Sequence, residues 1–313
     1  MSKVVVTGGA GFIGSHLVRG LLDRGDEVHV LDNFLTGRRS NLEAVLDRIT
    51  LHECDLRDTE RLPAILAGVE ELFHQAAIPS VPRSIAEPEL TWQVNAEGTH
   101  GLLLAARDAG IRRVVYASSS SVYGDAAVSP KHEDLRPRPL SPYAAQKAAC
   151  EAMAEAFSSA FGMTIVGLRY FNVFGPRQDP GSAYAAVVPK FITALLAGEA
   201  PVIYGDGEQT RDFTFVENVV QANLAAAEAE QSAVLNIAGG HATSVNQLFE
   251  SLAELTGRTD IAARHDPPRP GDVRHSLADV DAAERLIGYR PAVDLDEGLR
   301  RTVEHYQALQ PAR

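Results

Sequence analysis

A glycine-rich turn between a short strand and a helix constrains the fold of this chain more than any other feature. The β-branched residues 3–7 lead into the turn Gly-Gly-Ala-Gly-Phe-Ile-Gly at 8–14, and an apolar helix is expected next. Gly8 permits the tight turn, Gly11 lets the backbone approach a pyrophosphate, and Gly14 lets the helix pack on the strand. The free N–H groups and positive dipole end of the helix favour phosphates. The turn therefore predicts a dinucleotide-binding fold.

The acid at the end of the second predicted strand indicates which dinucleotide is bound. This strand covers residues 27–31 and ends in Asp32, 18 residues after Gly14. A carboxylate at this point accepts hydrogen bonds from the adenosine ribose hydroxyls and repels a 2′-phosphate, which favours NAD over NADP. In the alternative interpretation, Asp32 only caps the following turn. With the glycine turn in place, we expect NAD as the cofactor.

Strands and helices alternate along the amino-terminal half. The further elements expected there are strands at 49–53, 72–75 and 113–117, and a long helix at about 89–109. Such alternation predicts an α/β fold, a Rossmann-type doubly wound parallel sheet with helices on both faces. Asp55, after the third strand, is placed to reach the adenine edge. Ala76 and Ala77 follow the fourth strand, and their small size permits close approach of the cofactor.

A helix that begins near residue 141 carries the candidate general base. Ser141 and Pro142 predict an N-cap followed by proline at the first helical position, and the Ala-rich run extends the helix to about Phe161. Tyr143 and Lys147 are four residues apart and so lie on one face. Lowering a tyrosine pKa from about 10 towards neutrality requires roughly 4 kcal/mol, which a close lysine and a second positive charge could supply. The resulting phenolate is a general base, although this spacing also arises by chance in ordinary amphipathic helices.

A serine-rich segment at 117–124 follows the strand at 113–117, at the sheet edge where α/β folds carry their ligands. Its Ser119 hydroxyl is placed to hydrogen-bond a substrate oxygen opposite Tyr143. The alternative is a serine-rich turn held by local side-chain to backbone bonds. A serine followed after 24 residues by Tyr-x-x-x-Lys is more specific than either part.

Composition limits the possible partners. The 313 residues carry a net charge of −12, which argues against a nucleic-acid or anionic-membrane surface. No apolar run approaches the roughly 18 residues of a membrane span, and the glycine turn begins too early for a signal peptide. Cys54 and Cys150 are the only cysteines and have no metal-ligand spacing, so we expect reduced thiols, no metal and a cytoplasmic protein.

The regular alternation lapses near residue 170, where we expect a smaller carboxyl-terminal α/β lobe that binds the substrate. The predicted cofactor domain is 1–170 with 211–238 returning to it, and the predicted lobe is 171–210 with 239–313. The elements expected in this half are strands at 164–168 and 201–204, and helices at 183–196 (despite Pro189), from 215–218 onward, 244–255, 279–286 and 295–309.

Five segments, TGGAGFIG, SSSSVYG, SPYAAQK, LRYFNVFGPRQDP and PGDVRHS, resemble the extended short-chain dehydrogenase/reductases over nearly the whole chain. Within them the chain is most similar to the nucleotide-sugar 4-epimerases, in particular those acting on UDP-glucose and UDP-N-acetylglucosamine. The resemblance implies that Tyr143 is the base, Lys147 its pKa partner and ribose anchor, and Ser119 the hydroxyl beside the sugar O4. It also implies a homodimer formed through the helices at 89–109 and 141–161.

The resemblance also implies a set of binding residues. The expected NAD contacts are Gly8, Gly11, Phe12, Ile13, Gly14, Asp32, Asn33, Asp55, Leu56, Ala76, Ala77, Asn95, Ser118, Tyr143, Lys147 and Tyr170. The expected UDP-sugar contacts are Ser80, Ser119, Ser120, Tyr143, Asn172, Val188, Tyr204, Arg211, Arg269, Asp272 and Ser276. In the family's pattern Arg211 and Arg269 hold the diphosphate and Asp272 meets the uridine ribose. A diphosphate requires charge-assisted donors, which an acidic chain must concentrate locally, although each arginine could also form only a surface salt bridge.

The expected reaction is reversal at C4 of the sugar. Dehydratases of this superfamily carry an acid before the Val-Tyr-Gly segment, where this chain has Ser120 and Ser121, so elimination lacks its acid and base. Ser276 falls where a bulky tyrosine restricts some relatives to glucose and galactose, and its small size makes room for an acetamido group. Glucuronate is the less favoured alternative, because Asp179 would repel its carboxylate. An interpretation of another class is an NAD-binding sensor without catalysis.

Overall fold

The structure, a computed structural model, describes residues 1–181, 186–268 and 273–310. Its strands are β1 (Lys3–Thr7), β2 (Glu27–Asp32), β3 (Ile49–Glu53), β4 (Glu71–His74), β5 (Arg113–Ser119), β6 (Thr164–Tyr170), β7 (Val173–Phe174), β8 (Val202–Tyr204), β9 (Thr210–Asp212), β10 (Thr214–Phe215), β11 (Ala233–Ile237), β12 (Ala242–Ser244) and β13 (Arg264–Asp266). Its helices are α1 (Phe12–Arg24), α2 (Leu62–Leu66), α3 (Val81–Ala86), α4 (Pro88–Trp92), α5 (Gly98–Asp108), α6 (Pro142–Phe161), α7 (Val187–Ala197), α8 (Val216–Ala227), α9 (Val245–Leu255), α10 (Asp281–Ile287) and α11 (Leu295–Ala308).

Seven strands form one parallel sheet in the order β11-β6-β5-β4-β1-β2-β3. The order runs outward in both directions from the neighbours β1 and β4, which confirms the predicted doubly wound α/β fold. The carboxyl ends of all seven strands lie at one edge. The crevice outside β1 and β4 at this edge is where such sheets bind their ligands.

Both faces of the sheet are covered by helices. Val4 and Val6 of β1 join a buried cluster with α1 and α8, whereas Val5 joins a second cluster with α2, α5 and α6. Successive residues of a strand point to opposite faces, so an unbroken Val-Val-Val run is what a strand buried on both sides requires. The sheet therefore fixes the crevice between two packed layers.

The boundaries of six of the seven sheet strands agree with the predicted ones to within about two residues, whereas β11 was not predicted; α6 ends at Phe161 as predicted. The long helix predicted at 89–109 is interrupted: α4 and α5 are separated by a π-helical turn over Gln93–Glu97. Such turns are frequent at functional sites. The predicted helix 279–286 begins later, at Asp281.

The predicted helix 183–196 is wrong at its start. Ala186 has extended backbone angles and α7 begins at Val187, while residues 182–185 lie outside the described part. Pro189 is then the third residue of α7. Because N–H groups of the first turn have no partner within the helix, proline costs little there. Pro189 thus marks the beginning of this helix and not its interior.

The carboxyl-terminal half builds a smaller layer from short sheets. β9 pairs with β12 antiparallel, and β10 with β7 and β13 with β8 are parallel pairs. A third buried cluster joins α7, α9 and α11 around Phe174, Phe191, Leu248 and Leu299. This layer places β9, with Arg211, beyond the carboxyl edge of the large sheet.

Chain segments cross between the two layers. β11 pairs with β6 in the large sheet, and α8 packs against α1. Residues 281–287, which we predicted within the lobe, form α10 and pack against β11 and α8. The exact domain boundaries stay a prediction. Within the described ranges, no helix combines the length and apolar character needed to span a membrane.

Candidate active site

The glycine turn is sterically closed to larger residues. Gly8 has a φ of +69°, and a Cβ built on it would lie 2.6 Å from the backbone nitrogen of Ala76. A Cβ on Gly14 would lie 2.1 Å from the carbonyl oxygen of Gly8. α1 begins after Gly11 without a side-chain cap, so first-turn N–H groups face the crevice and suit a pyrophosphate. This cradle fits a dinucleotide.

Asp32 ends β2 beside this turn and is 7% exposed. It accepts hydrogen bonds from the backbone N–H groups of Ala10 at 2.9 Å and Phe34 at 2.8 Å. Burial raises the pKa of Asp32, against the lowering effect of these two bonds. They occupy two of the roughly four acceptor positions of a carboxylate, which leaves capacity for two ribose hydroxyls. The geometry therefore suits the role predicted for Asp32.

Two further expected cofactor contacts, Asn33 after β2 and Asp55 after β3, are hydrogen-bonded to each other. The amide of Asn33 donates to Asp55 at 2.8 Å. The Asp55 carboxylate also accepts from Arg57, and this interaction holds its pKa well below the usual range. Leu56 is buried beside Gly98. Asp55 thus stays ionised next to the region where an adenine is expected.

α6 presents the predicted base and lysine. Ser141 caps it by accepting the Ala144 N–H at 3.2 Å, as predicted. The ammonium group of Lys147 lies 6.0 Å from the ring centre of Tyr143. It donates to the carbonyl of Ala117 in β5 at 2.8 Å, and Lys147 is only 4% exposed. This bond ties α6 to the carboxyl end of β5.

Ser119 lies at that end of β5, two residues beyond Ala117. Its Oγ accepts from the backbone N–H of Ser121 at 3.2 Å and from the Ser121 hydroxyl at 2.9 Å. The Ser119 oxygen therefore caps the 3₁₀ turn Ser120–Tyr123, as the alternative interpretation of a serine-rich turn expected. Within the described part of the chain, the Ser119 hydroxyl hydrogen has no acceptor, so it can donate to a substrate oxygen.

Two residues that sequence reasoning missed support Tyr143 and Lys147 from below. Ser84 is fully buried, and its Oγ accepts the Tyr143 N–H at 3.0 Å. His74, at the end of β4, contacts Thr7 at 2.7 Å and Thr99 at 2.9 Å. Burial, with a contribution from Lys147, lowers the pKa of His74 to about 3. A neutral imidazole at this point leaves Lys147 as the charged group.

Asn95 lies in the π-helical turn and does not point to solvent. Its side chain exchanges hydrogen bonds with the backbone of Ile78 at 2.7 and 3.2 Å and donates to Gln146 at 2.8 Å. Its backbone carbonyl accepts from Thr99 at 2.6 Å. These bonds join the π turn to α6 and to the segment after β4. The structure therefore places Asn95 as a link between elements, and its contact with NAD stays a prediction.

A buried ion pair under the site was also missed. Glu151 of α6 binds the guanidinium of Arg169 in β6 through both carboxylate oxygens, at 2.9 and 2.8 Å. Ser118, an expected cofactor contact, donates its hydroxyl to Glu151 at 2.5 Å. Arg169 donates further to Tyr123 at 2.8 Å, and Tyr123 donates to Asn236 at 2.7 Å. No local pattern signals this pair, because its members lie on different elements.

Tyr170 is an expected cofactor contact whose hydroxyl is buried in a hydrogen-bond network. Its hydroxyl donates towards Gln75 and Asn223, each at 3.2 Å, and accepts from the Asn223 amide at 2.8 Å. Burial raises the pKa of Tyr170. The hydroxyl is thus held between the helix and sheet layers. Because the hydroxyl of Tyr170 is occupied, its predicted contact with NAD would involve the other atoms of the residue.

On the substrate side, the structure brings Asn172, Arg211 and Ser276 around β9. The Asn172 amide donates to the carbonyl of Asp212 at 3.0 Å, and the backbone N–H of Ser276 donates to Thr210 at 3.2 Å. Arg211 donates to the carbonyl of Thr210 at 2.8 Å. These three expected contacts therefore lie together.

Asp212 organises this group and was not predicted. It is fully buried and accepts backbone N–H bonds from Gly239 at 2.8 Å, Gly240 at 3.1 Å and Ala278 at 3.2 Å. Burial raises the pKa of Asp212 to about 6 against these bonds. The carboxylate thus fixes β9 against two distant segments.

The remaining expected substrate contacts are spread around the crevice. Ser80 caps α3 by accepting the Arg83 N–H at 3.1 Å, Val188 is buried at the start of α7, and the Tyr204 carbonyl accepts from Gln209 at 2.8 Å. Ser120 is half-buried in the 3₁₀ turn. The positions of Arg269 and Asp272 lie outside the described residues. Among the described residues, no three His, Cys, Asp or Glu side chains are grouped so that they could hold a metal ion.

Comparison with known proteins places the chain among nucleotide-sugar enzymes. A family model described as the NAD dependent epimerase/dehydratase family matches residues 4–238. A UDP-glucose 4-epimerase of Mycolicibacterium smegmatis is 40% identical over 311 residues, covering 97% of this chain and 98% of that protein. A solved UDP-N-acetylglucosamine 4-epimerase of Methanobrevibacter ruminantium, in complex with UDP-N-acetylmuramic acid, is 44% identical with a TM-score of 0.95 and 99% coverage of both chains. A Thermus thermophilus UDP-glucose 4-epimerase in complex with NAD is 37% identical, with a TM-score of 0.89 and coverages of 98% and 100%.

Proteins with other activities match as well. UDP-glucuronic acid decarboxylase 1 of Xenopus tropicalis is 33% identical over 316 residues, covering 97% of this chain and 72% of that protein. The dTDP-glucose 4,6-dehydratase of Streptomyces venezuelae, solved with NAD bound, is 35% identical with a TM-score of 0.91 and coverages of 98% and 97%. The matched residues include the glycine cradle, Asp32, Ser119, Tyr143 and Lys147. The chain belongs to the NAD dependent epimerase/dehydratase family, whose enzymes use NAD.

Proposed function

We propose that this enzyme interconverts UDP-hexoses that differ at C4, with UDP-glucose and UDP-galactose as the first pair to test. The proposal rests on the arrangement of Tyr143 and Lys147 on α6 beside Ser119 at the carboxyl end of β5. The glycine cradle and Asp32 would hold NAD, which would supply a hydride acceptor for C4 and a hydride donor for the return step. Tyr143 takes the proton of O4 as general base and returns it in the second half of the reaction.

The neighbouring side chains serve this proton transfer. Lys147 is buried and held by the Ala117 carbonyl, so its charge favours the ionised phenol of Tyr143. The Ser119 hydroxyl donates to O4 and orients it. Arg211 in the lobe retains the diphosphate, and the pyranose can turn between the two half-reactions. Binding energy from the distant UDP group therefore holds the keto sugar without fixing its ring.

Reversal is favoured over elimination by the residues before Val122. Ser120 and Ser121 occupy the 3₁₀ turn beside Ser119, and neither is an acid. Loss of water across C5 and C6 needs a group there that removes and donates protons. These hydroxyls are poor at both tasks near neutral pH. The proposal therefore excludes a 4,6-dehydratase despite the matching relative.

Two other substrates merit direct comparison. Ser276 is small and 9% exposed beside β9, which leaves room for an acetamido group, and the methanogen relative is named for the N-acetyl sugar. A uronate substrate is supported by the decarboxylase relative. Asp179 forms an ion pair with Arg38 at 2.6 Å, so part of its expected repulsion of a carboxylate is compensated. Epimerisation of UDP-glucuronate is our second candidate.

The direct test is a panel of UDP-glucose, UDP-N-acetylglucosamine and UDP-glucuronate, with chromatographic separation of the C4 epimers. We expect epimer formation without steady NADH release, and Tyr143→Phe should reduce the rate by at least about a hundredfold. Tyr289→Phe, which removes a hydroxyl bonded to the Ala238 carbonyl, is the matched control. An undiminished rate in Tyr143→Phe would contradict the mechanism, and steady NADH release would indicate a dehydrogenase.

The width of the sugar site has its own test. Ser276→Tyr should abolish turnover of the N-acetyl sugar and spare that of UDP-glucose. Unchanged turnover of both would mean that Ser276 does not border the sugar. A protein that shows no absorbance near 340 nm after any UDP-sugar is added, and forms no product, would instead be the non-catalytic NAD sensor.

We also propose that the enzyme is a cytoplasmic homodimer formed through α4, α5 and α6. Trp92 and Phe161 are large apolar side chains on these helices with 44% and 38% of their surface exposed. Exposed apolar surface of this kind is typical of contact faces. Trp92→Glu should convert the dimer to a monomer in analytical ultracentrifugation. A monomeric unmodified protein would contradict this part of the proposal.

A further inference from the structure

A second cavity lies on the outer face of α1, away from the crevice. It has a volume of about 1130 Å³ and is bounded by α1, α8, the ends of α7 and α11, and the loop at 176–181. None of the described residues that we expect to contact NAD or UDP-sugar lines it. Its size exceeds that of most small-molecule sites. The proposed reaction assigns this cavity no role.

Five basic side chains converge on this cavity from four parts of the chain. They are His16 and Arg19 of α1, Arg38 after β2, Arg177 of the loop, and His305 of α11. The chain as a whole carries a net charge of −12. The three arginines are therefore a local concentration of positive charge in an acidic protein, whereas the lowered pKa values of His16 and His305 keep both imidazoles neutral.

In two of the guanidinium groups, the Nε atom lacks a hydrogen-bond partner among the described residues. The Nε atoms of Arg19 and Arg177 are buried, and neither has a hydrogen-bond partner in the described part of the chain. Buried polar groups are nearly always hydrogen-bonded, and an unpaired one calls for an explanation such as a missing ion. These two donors point to an anionic ligand.

The three acids that line the cavity form no ion pair with Arg19 or Arg177. Asp179 is paired with Arg38 at 2.6 Å, and Glu217 is paired with Arg301 at 2.8 Å, outside the basic group. Asp23 lines the cavity one turn after Arg19. Over the described ranges, no carboxylate comes within ion-pair distance of Arg19 or Arg177.

Burial and neighbouring positive charge both lower the pKa values of two of these groups. Burial, and next the charge of Arg19, lower the pKa of Arg177 to about 10. Burial, and next the charge of Arg177, lower the pKa of His16 to about 3. An anion in the cavity would oppose both effects.

The backbone holds Arg177 in this position. Its φ is +67°, in the left-handed region that non-glycine residues rarely adopt. Its N–H donates to Nε2 of His305 at 3.2 Å, and the preceding Pro176 carbonyl contacts Nε2 of His16 at 2.9 Å. Strain of this kind persists where the surroundings fix it, and it is often found at ligand sites.

We propose that this cavity binds a phosphate-bearing anion, with Arg19 and Arg177 as its charge-assisted donors. Guanidinium groups match phosphate oxygens in geometry and charge. Three arginines and a volume of about 1130 Å³ suit a ligand with more than one phosphate. The site is separate from the diphosphate site expected at Arg211, and it does not depend on the reaction proposed for the crevice.

The test uses the NAD-loaded enzyme with saturating UDP, so that the crevice is filled. Titration calorimetry with pyrophosphate, at constant ionic strength, should detect one further site per chain. Arg19→Gln and Arg177→Gln should each weaken this binding by at least about tenfold. Arg290→Gln, which removes the same charge from a side chain that is 79% exposed and paired with Glu284, should leave it unchanged.

The results of this titration distinguish binding in the cavity from binding in the crevice and from the absence of a specific site. Binding that is lost when UDP is present would place pyrophosphate in the crevice and overturn the proposal. An absence of binding at millimolar pyrophosphate, or equal affinity in Arg19→Gln and Arg290→Gln, would overturn it as well. If Arg177→Gln fails to melt cooperatively, Arg19→Gln decides, and Arg19→Lys should retain more affinity than Arg19→Gln because it keeps the charge.

Discussion

The two sides of the crevice hold their expected ligands by different means. The cofactor side relies on backbone geometry: Gly8 and Gly14 leave no room for a Cβ, and the start of α1 has no side-chain cap. The lobe side relies on a buried carboxylate, Asp212, that gathers N–H groups from distant segments. Backbone sterics act within one turn of chain, whereas the Asp212 network needs the finished fold. The first side should therefore fail by steric conflict and the second by loss of this buried acceptor.

The largest effect is expected from Gly14→Ala. The new Cβ would lie 2.1 Å from the Gly8 carbonyl oxygen, and a backbone neighbour cannot move aside as a flexible side chain can. We expect a loss of more than about 5 kcal/mol, beyond the usual range of about 1–3 kcal/mol for overpacking, and no retained NAD. Chemical denaturation and the cofactor content of the purified protein measure this.

Gly25→Ala is the matched control. Gly25 ends α1 with a φ of +92°, but a Cβ on it would meet nothing within 4 Å. It should cost only about 1 kcal/mol through backbone strain and leave NAD bound. Equal loss of NAD in both variants would show that the cradle is not sterically determined.

Glu151→Gln tests whether the cofactor side depends on backbone geometry alone. The change leaves the Arg169 charge buried without its partner, since the two side chains are 8% and 5% exposed. Breaking such a pair costs about 3–5 kcal/mol. Urea denaturation measures the loss, and Glu304→Gln, in a solvent-exposed pair with Arg300, should show little. A small loss in Glu151→Gln would leave backbone sterics as the dominant factor on this side.

Asp212→Asn examines the lobe side through pH. Burial raises the pKa of Asp212 from 3.8 to about 6, so its contribution to stability is complete below about pH 3.8 and is lost as the pH rises through 6. The shift corresponds to about 3 kcal/mol. The variant has no group to titrate and loses hydrogen-bond acceptors, so it is less stable at low pH, and the gap to the unmodified protein should narrow by about 2 kcal/mol between pH 4 and pH 7.

The same variant should raise the KM for UDP-sugar and leave NAD affinity unchanged, because Asp212 fixes β9 and not the glycine cradle. Asp294→Asn controls for the loss of a carboxylate, since asparagine is an equally good N-cap for α11. A stability gap that stays constant with pH would contradict the role assigned to Asp212.

The difference between local backbone geometry on the cofactor side and long-range contacts on the lobe side also explains how much could be predicted from the sequence. The glycine turn, Asp32, the Ser141 cap and the pairing of Tyr143 with Lys147 on one helix face depend on spacings within one or two elements, so local rules predict them. Six of the seven sheet strands could be recognised for the same reason. The long-range contacts have no such signal. Asp212 meets Gly239 and Ala278, and the pairing of Glu151 with Arg169 depends on how α6 packs against β6.

Irregular backbone was the other source of error. The π-helical turn at Gln93–Glu97 follows from bonds that Asn95 makes with Ile78 and Gln146, and no helix propensity reports them. Pro189 was placed inside a helix because its position in the first turn depends on where Ala186 leaves the extended conformation. α10, which we predicted within the lobe, contacts α8 and β11 of the sheet layer, and its domain assignment stays a prediction.

The smallest effect is expected from Ser84→Ala, which should separate a loss of stability from a loss of Tyr143 positioning. Ser84→Ala removes the acceptor of the Tyr143 N–H and should cost about 1–2 kcal/mol, because Ser84 is fully buried. Ser244→Ala removes the cap of α9 in the lobe and should cost about 1 kcal/mol. Only Ser84→Ala should also lower kcat several-fold with little change in KM, since it loosens the turn that carries Tyr143, and Ser84→Thr should restore part of the rate. Equal kcat values in the two alanine variants would show that the first turn of α6 is held by its own cap, and that the cofactor side needs no support from α3.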